Sequence, residues 1–323
     1  MDKNWLCVFS RVCFASRMSR IIHVLTGCTA VGKTELALRW AEANGAEIVS
    51  CDSLLFYRGM DLGTAKPTAA ERAHVPHHLI DICDVTGRMD VTHYITKARS
   101  AVEDIFSRGK AVLVTGGSGF YLKAFFAPVA DEVAVPAELR EELRARLERD
   151  GLVSLVDELR RFNPVGLGAL DVQNPRRVLR ALERCRATGR TVAALLAEFA
   201  ALPAPFADCV VRLGELTRDP GELDARIEIR VKTMIAQGLV AEVRGLLGRG
   251  LKENPSAALA IGYRETIEVI EGRLPETELA ATMVKNTRYL VKKQRTWFKT
   301  QLPAHQPVDA ASAQLDGLFV PPV

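Results

Sequence analysis

The sequence lacks any apolar run of the ~18–20 residues that a membrane-spanning helix needs, so we expect no membrane partner. Its seven cysteines are scattered, without a C-x-x-C pair or a histidine partner at metal-ligand spacing. This pattern excludes a zinc ribbon and indicates reduced thiols in a cytoplasmic protein. The sequence also lacks an excess of either charge, because 43 basic and 39 acidic residues leave a net charge of only +4. The overall charge therefore does not by itself indicate a nucleic-acid partner.

Strands and helices alternate in the first part of the chain. Short apolar runs at 21–26, Ala46–Ser50 and Ala111–Thr115 predict strands, and helical patterns occupy 35–44 and Val91–Ser107. Because each predicted strand is apolar along nearly its whole length, the sequence predicts an α/β fold, a parallel sheet with helices on both faces. Ligands of such sheets bind at the carboxyl ends of the strands.

The later part of the chain interrupts this pattern and then resumes it. Charged helical segments without strands predict a helical insertion, and an apolar run at 209–213 predicts a further strand. The opening residues are either an arginine-bearing transit peptide or an extension upstream of a start at Met18, and we expect the extension. The predicted organisation is an α/β core at 18–127 and 206–302, an insertion at 128–205, an extension at 1–17 and a loosely ordered tail at 303–323.

A P-loop motif, G-x-x-x-x-G-K-[ST], follows the first predicted strand and precedes the first predicted helix. Its glycines let the backbone curl so that N–H groups point at phosphate oxygens, at the positive end of the helix dipole. Lys33 adds a mobile positive charge, and Thr34 offers a hydroxyl ligand for Mg²⁺. The motif alone indicates ATP, GTP or another polyphosphate ester as the ligand. Its residues are Gly27, Cys28, Thr29, Ala30, Val31, Gly32, Lys33 and Thr34.

Three polar residues follow later predicted strands. Asp52 comes after the second strand, where a P-loop enzyme often has a metal-binding aspartate, but an aspartate there can equally be a general base. Ser118, in a glycine-rich turn after the third strand, can present its hydroxyl to the site or cap the next helix. Arg226 is either a bidentate clamp for a diphosphate or an ordinary exposed helix charge. The residues alone leave each of these pairs of interpretations open.

Two basic clusters stand out against the low net charge. One lies in the predicted insertion, and the other runs to Lys299 without an acidic residue and includes Tyr289, Trp297 and Phe298. A basic helix interleaved with aromatic residues suits a polyanion with stackable bases, and the alternative is a solvated helix face. The basic residues are Arg176, Arg177 and Arg180, and Lys285, Arg288, Lys292, Lys293, Arg295 and Lys299.

Together these motifs resemble one family, the tRNA dimethylallyltransferases of bacterial type, over about residues 21–300. The P-loop is generic, whereas the run D-S-L-L-F-Y-R-G-M-D-L-G-T-A-K-P at 52–67 is far more specific. The motifs occur in the order that the family has. They lie at 27–34, 52–67, 76–81, 116–121, 174–177, 261–264 and 293–297.

The resemblance implies that the P-loop grips the diphosphate of dimethylallyl diphosphate, with Mg²⁺ as cofactor. The dimethylallyl group then moves to N6 of adenosine 37, beside the tRNA anticodon. By the same resemblance, Asp52 is the general base and Lys33 acts on the diphosphate. Ser118 stands where the family commonly has a threonine that orients the reacting amine. Arg226 matches the diphosphate-contacting arginine.

The implied partners are tRNA and dimethylallyl diphosphate, and we expect the protein to act as a monomer. The alternatives are an adenylate isopentenyltransferase that uses free AMP and a P-loop small-molecule kinase, but the basic helices argue against both. A regulatory GTPase is excluded because the sequence has no N-K-x-D motif. The residues that match tRNA-contacting segments of the family are Asp52, Ser53, Leu54 and Leu55; Arg176, Arg177, Val178, Leu179 and Arg180; Leu259, Ala260, Ile261, Gly262, Tyr263 and Arg264; and Lys293, Gln294, Arg295, Thr296, Trp297, Phe298, Lys299 and Thr300.

Overall fold

A six-stranded parallel sheet forms the centre of the computed structural model, which describes residues 20–131 and 133–319. The predicted extension at 1–17 lies outside the described residues, as do residues 320–323. In chain order the strands are β1 (Ile21–Gly27), β2 (Ala46–Ser50), β3 (His77–His78), β4 (Ala111–Thr115), β5 (Val210–Thr217) and β6 (Pro307–Asp309). Across the sheet they follow the order β3-β2-β4-β1-β5-β6.

Helices flank the sheet and form a separate group between β4 and β5. They are α1 (Lys33–Ala43), α2 (Ala69–His74), α3 (Val91–Ser107), α4 (Gly119–Lys123), α5 (Ala137–Phe162), α6 (Pro175–Thr188), α7 (Val192–Ala201), α8 (Pro220–Ala236), α9 (Leu239–Leu247), α10 (Pro255–Ala258), α11 (Tyr263–Ile270) and α12 (Leu279–Gln301). Among the described residues, none of these helices is both long and apolar enough to cross a membrane.

The predicted α/β fold with helices on both faces of a parallel sheet is confirmed. Strands β1, β2 and β4 are buried along most of their length, as central strands of a covered sheet must be. Helix α1 connects β1 to β2, and α3 connects β3 back to β4 in the opposite direction across the sheet. Because such connections are right-handed, the two helices cover opposite faces.

The edge strand β3 is not predicted from the sequence, because it is only two residues long and pairs with the distant strand β2. Its second residue, His78, places Nε2 2.7 Å from Oε2 of the buried Glu47. The guanidinium of Arg108 contacts the same carboxylate. His77 and His78, which form β3, therefore have a structural place at the sheet edge.

The expectation of a loosely ordered tail from residue 303 is wrong for the part that the structure describes. Strand β6 pairs with β5 and completes the sheet. His305 Nε2 lies 2.5 Å from the buried carboxylate of Glu215, and Phe319 packs edge-on against Trp40 with ring centroids 5.1 Å apart. These partners are distant in sequence, so local periodicity gives no sign of them.

The helices α5, α6 and α7 occupy the predicted insertion and share a hydrophobic cluster of their own. Gly151, at φ 76°, introduces a kink into α5. An ion pair between Arg184 and Asp131, at 2.7 Å, links α6 to the segment that enters the insertion. The domain boundaries at 128 and 205 remain predictions. The buried members of the cluster are Leu143, Leu155, Val156, Leu159, Val178, Leu182, Cys185 and Val192.

The backbones that leave β2 and β4 approach each other closely. Cys51 donates its N–H to the Thr115 carbonyl at 2.8 Å, and its own carbonyl accepts from the Ser118 N–H at 3.3 Å. A Cβ at Gly116 would lie 2.0 Å from the Cys51 oxygen. Residue 116 must therefore be glycine for the two strand ends to meet.

This contact predicts a stability difference between two Gly→Ala changes. Gly116→Ala should lower the midpoint of thermal unfolding, because overpacking of this kind costs about 1–3 kcal/mol. Gly245→Ala is the matched control, since that glycine is exposed inside α9 with nothing within 4 Å of an added Cβ. Alanine there should stabilise the helix by about 0.5–1 kcal/mol. Circular dichroism melting checks both, and an unchanged midpoint for Gly116→Ala would contradict the close approach.

Candidate active site at the carboxyl edge of the sheet

The P-loop joins β1 to α1, as predicted. Gly27 begins it with φ 146°, and a Cβ there would lie 2.5 Å from the Leu216 carbonyl of β5. Ala30 and Gly32 also have positive φ, 66° and 110°, so the loop curls back on itself before the helix starts. Backbone N–H groups at the N-terminus of a helix attract anions, and the loop has the form of a phosphate site.

Lys33, in the first turn of α1, is folded over the loop. Its Nζ donates to the carbonyl oxygens of Gly27 and Cys28 at 2.8 and 2.9 Å. Burial lowers the pKa of Lys33 to about 8, while the neighbouring Asp52 carboxylate acts in the opposite direction. An anion bound in the loop would stabilise the charged ammonium.

Arg230, on α8, is a site residue that sequence reasoning missed. Its charge acts on the pKa of Lys33, and burial lowers its own pKa, with Asp52 opposing that shift. Its Nη2 donates to the Thr64 carbonyl at 3.0 Å. The signal that could have found it is the spacing of four residues from Arg226, which places both on neighbouring turns of one helix.

Two further arginines contact the P-loop backbone. Arg226, predicted to bind the diphosphate, is exposed and donates from Nε to the Ala30 carbonyl at 2.9 Å. Arg218, which was not predicted, donates from Nε to the Val31 carbonyl at 3.1 Å. Their Nη2 atoms lie 3.8 and 3.5 Å from the position of a Cβ on Gly32. Both guanidinium groups therefore lie beside the loop, where an anion would feel their charge.

Asp52 and Ser118 follow β2 and β4 and come together at this edge. Asp52 Oδ1 accepts from the Leu54 N–H at 3.0 Å, which fixes the start of the loop. Ser118 Oγ accepts from the Ser53 N–H at 2.9 Å and lies 3.3 Å from the Ser53 hydroxyl. Although Ser118 occupies the N-cap position of α4, its hydroxyl makes no capping bond. The hydroxyl is thus directed at the segment that carries Asp52.

Helix α12 packs beneath the same edge. Gln294 Oε1 accepts from the Thr29 N–H of the P-loop at 3.0 Å, and its Nε2 donates to the Gly117 carbonyl at 3.1 Å. The ring of Trp297 fills the space that a side chain at Gly119 would need, since a Cβ there would lie 2.6 Å from it. Both residues are half-buried and pack against the loops that form the site.

Nine of the 23 predicted tRNA-contacting residues are exposed, ten are half-buried and four are buried. Leu259 is 62% exposed, an unusual degree for a large apolar side chain. Tyr289 is 60% exposed, and the Lys293 ammonium lies 4.4 Å from its ring centroid, a cation–π pair on the surface of α12. The other exposed predicted residues are Arg176, Arg177, Arg180, Arg295, Thr296, Lys299 and Thr300.

Three side chains in the predicted tRNA-contacting segments are buried and lie in hydrophobic cores instead. Val178 belongs to the core of the insertion, and Phe298 to the core of the sheet. Tyr263 is fully buried and donates its hydroxyl to Glu242 at 2.7 Å, and a Cβ at Gly63 would lie 2.5 Å from its ring. Each of the three adjoins a basic residue in sequence, so the motif included it although its side chain faces inward.

Thr34, the predicted metal ligand, is exposed in the first turn of α1. Across residues 20–131 and 133–319, no group of three His, Cys, Asp or Glu side chains could hold an ion. This donor set fits Mg²⁺ only as an ion carried by a phosphate ligand, because Mg²⁺ keeps several waters and uses few protein ligands in such sites. Thr34 would then supply one oxygen, and the ion would neutralise phosphate charge.

The placement of Arg230 predicts a loss of anion binding when its charge is removed. Arg230→Met should weaken the binding of inorganic diphosphate by about tenfold or more, because a charged hydrogen bond contributes about 1.5–3 kcal/mol. Arg72→Met is the matched control, since Arg72 lines the same cavity of about 440 Å³ but is paired with Asp81 at 2.7 Å. Titration calorimetry measures both affinities. Equal affinities for the two variants would remove Arg230 from the site.

Comparisons with known proteins give the same family over most of the chain. A sequence model of the IPP transferase family matches residues 55–301. The chain is 64% identical over 299 residues to the tRNA dimethylallyltransferase of Opitutus terrae, covering 92% of this chain and 96% of the relative. It is 40% identical over 299 residues to the corresponding protein of Deinococcus radiodurans, covering 91% and 95% of the two chains.

Solved structures agree with this assignment. The tRNA isopentenylpyrophosphate transferase of Bacillus halodurans superposes with a TM-score of 0.64 at 32% identity and covers 90% of each chain. A eukaryotic dimethylallyltransferase acting on tRNA has a TM-score of 0.78, covering 93% of this chain and 76% of its own, and at 24% identity it supports the fold alone. The chain therefore belongs to the tRNA dimethylallyltransferase (IPP transferase) family.

Proposed function

We propose that this protein transfers the dimethylallyl group of dimethylallyl diphosphate to N6 of adenosine 37, next to the anticodon of tRNA, in the cytoplasm. One observation carries the proposal. A phosphate-binding loop, a carboxylate at Asp52 and a hydroxyl at Ser118 meet at one edge of the sheet, directly above the basic helix α12. This combination suits an anionic donor and a polyanionic acceptor at the same time.

In the proposed reaction the bond between C1 of the allyl group and the diphosphate oxygen breaks, and its electron pair leaves with the diphosphate. Lys33, Arg230 and the P-loop N–H groups stabilise the charge that develops on that oxygen. A Mg²⁺ ion bound with the donor would add further charge neutralisation. The allyl carbon acquires cationic character, and N6 of adenine attacks it. No ATP is consumed.

Asp52 is the proposed general base. The exocyclic amine of adenine is a poor nucleophile and carries an extra proton once it has formed the C–N bond. Asp52 lies near the cationic side chains of Lys33 and Arg230, and its charge acts to raise the pKa of both. Ser118 holds the segment that carries Asp52 and offers its hydroxyl to orient the amine.

The proposed tRNA surface consists of the exposed basic residues of α6 and α12 with Leu259. These residues can contact phosphates and position the anticodon stem without reading much sequence. Adenosine 37 lies in a stacked loop, so it must be turned out to reach a donor held beside the P-loop. Exposed Tyr289, beside Lys293, offers a surface on which a base can stack.

Two other functions are possible for such a site, an adenylate isopentenyltransferase and a P-loop kinase. They can be separated by supplying dimethylallyl diphosphate, ATP, Mg²⁺ and either unmodified tRNA with A36-A37-A38 or free AMP. We expect transfer to tRNA and none to AMP, with no release of phosphate from ATP. Equal transfer to AMP would contradict the tRNA assignment.

The role of Asp52 predicts a specific defect. Asp52→Ala should lower the single-turnover transfer rate by roughly 10²–10⁴-fold, the usual contribution of a general base, while tRNA affinity stays near that of the wild type. Asp84→Ala is the control, because Asp84 is an exposed carboxylate paired with Arg58 on the surface. Rapid-quench measurement of product gives the rates. A wild-type rate for Asp52→Ala would remove it from the role of base.

The basic surface predicts a salt-dependent loss of tRNA binding. The double change Lys292→Ala with Lys293→Ala should reduce the slope of log affinity against log salt by roughly 1–2, about one unit or slightly less for each phosphate contact removed. Lys97→Ala with Lys110→Ala removes the same charge from α3 and from the amino end of β4, away from the site. Binding titrations at several salt concentrations compare the two. Equal slopes for the two double variants would show that the basic residues of α12 are ordinary solvated side chains.

A further inference from the structure

Gln294 occupies an unusual position for a residue in a predicted tRNA-contacting segment. Its neighbours in sequence, Lys293 and Arg295, are exposed, whereas Gln294 itself is half-buried and turned toward the sheet edge. Its amide makes two hydrogen bonds to backbone groups of two different loops, Thr29 in the P-loop and Gly117 in the turn before Ser118. Its amide is therefore engaged with the protein itself.

The two loops are far apart in sequence and carry different parts of the proposed chemistry. The P-loop holds the diphosphate, and the 116–119 turn carries Ser118, which contacts the segment of Asp52. A Cβ on Gly117 would lie 2.8 Å from Gln294 Nε2 and 3.8 Å from Lys33 Nζ. The amide of Gln294, the ammonium of Lys33 and this turn therefore share one small volume.

We propose that Gln294 is a positioning residue that fixes the distance between the diphosphate loop and the Ser118 turn. This inference rests on the proposed function and assigns Gln294 a different role from RNA contact. The Gln294 carbonyl occupies the Thr29 N–H, which leaves the N–H groups nearer α1 for the donor. The leaving group and the amine are then held at a fixed separation, and a displacement of about 1 Å at a reacting centre can lower a rate by about a hundredfold.

Helix α12 also connects the proposed tRNA surface to the P-loop. The exposed face of α12 carries the basic residues proposed to bind tRNA, and its inner face carries Gln294. A small movement of α12 when tRNA docks would reach the P-loop through the Gln294 side chain and through the Val291 carbonyl, which accepts from Cys28 Sγ at 3.8 Å. By thermodynamic linkage, bound diphosphate should then alter tRNA affinity by the same factor as tRNA alters diphosphate affinity.

The test uses Gln294→Ala and Gln294→Met in the full chain, with Gln301→Ala as the matched control. Gln294→Met keeps the volume of the side chain and removes both hydrogen bonds. Gln301 lies at the end of the same helix and accepts a hydrogen bond from Lys123 at 3.1 Å, on the exposed surface. Three quantities are measured: the affinity for inorganic diphosphate, the affinity for tRNA and the single-turnover transfer rate.

We expect both Gln294 variants to bind inorganic diphosphate about three- to tenfold more weakly and to react about ten- to a hundredfold more slowly. Their tRNA affinity should stay within about twofold of the wild type, and Gln301→Ala should match the wild type throughout. Unchanged diphosphate affinity would overturn the inference. A loss confined to tRNA affinity would make Gln294 an RNA contact, and full recovery in Gln294→Met would make it a packing residue.

Failure of the proposed function gives a different result. If the wild-type protein transfers no dimethylallyl group to tRNA, the reaction is wrong, but the diphosphate affinities of the variants still test the role of Gln294. If the wild type is active and both Gln294 variants keep its rate and its affinities, only the positioning role is wrong.

Discussion

The close approach of two backbone segments is the constraint on which the site depends. The chain leaves β2 and β4 so near each other that the Cys51 carbonyl accepts a hydrogen bond from Ser118 and leaves no room for a side chain at Gly116. This contact puts the Asp52 segment and the Ser118 hydroxyl on the edge where β1 delivers the P-loop. Parallel strands make the convergence possible, because all their carboxyl ends face the same way.

The distribution of charge at this edge explains how a P-loop can serve a carbon transfer. Lys33 and Arg230 bring two cations into a partly desolvated space with one carboxylate, Asp52. A cationic, desolvated loop stabilises any departing phosphate oxygen, whether the group that leaves it is phosphoryl or allyl. In the proposed reaction the carboxylate decides the outcome, because it accepts the proton that an attacking amine must lose. In the same proposal, the basic face of α12 favours a polyanionic acceptor over a free nucleotide.

The fold follows largely from local sequence, and the site only in part. The apolar strands, the P-loop and Asp52 can be predicted from the sequence, because each depends on a short run of residues whose pattern has a clear physical cause. Strand β6 and the burial of Phe319 cannot be predicted in this way, because they depend on partners that are far away in sequence. The position of Arg230 depends on how α8 packs, and the inward orientation of Gln294 on the rotation of α12, which periodicity defines only roughly. A motif of consecutive residues also includes buried side chains next to exposed ones, so the motif alone does not show which of them face the solvent.

The most direct test of the central claim is mass spectrometry of tRNA nucleosides from cells of the source organism. Three strains are compared: the wild type, a strain without the gene and the same strain carrying Asp52→Ala. The proposed reaction predicts N6-(dimethylallyl)adenosine or its derivatives in the wild type and their absence from both other strains. Persistence of the modified nucleoside in the strain without the gene would contradict the account.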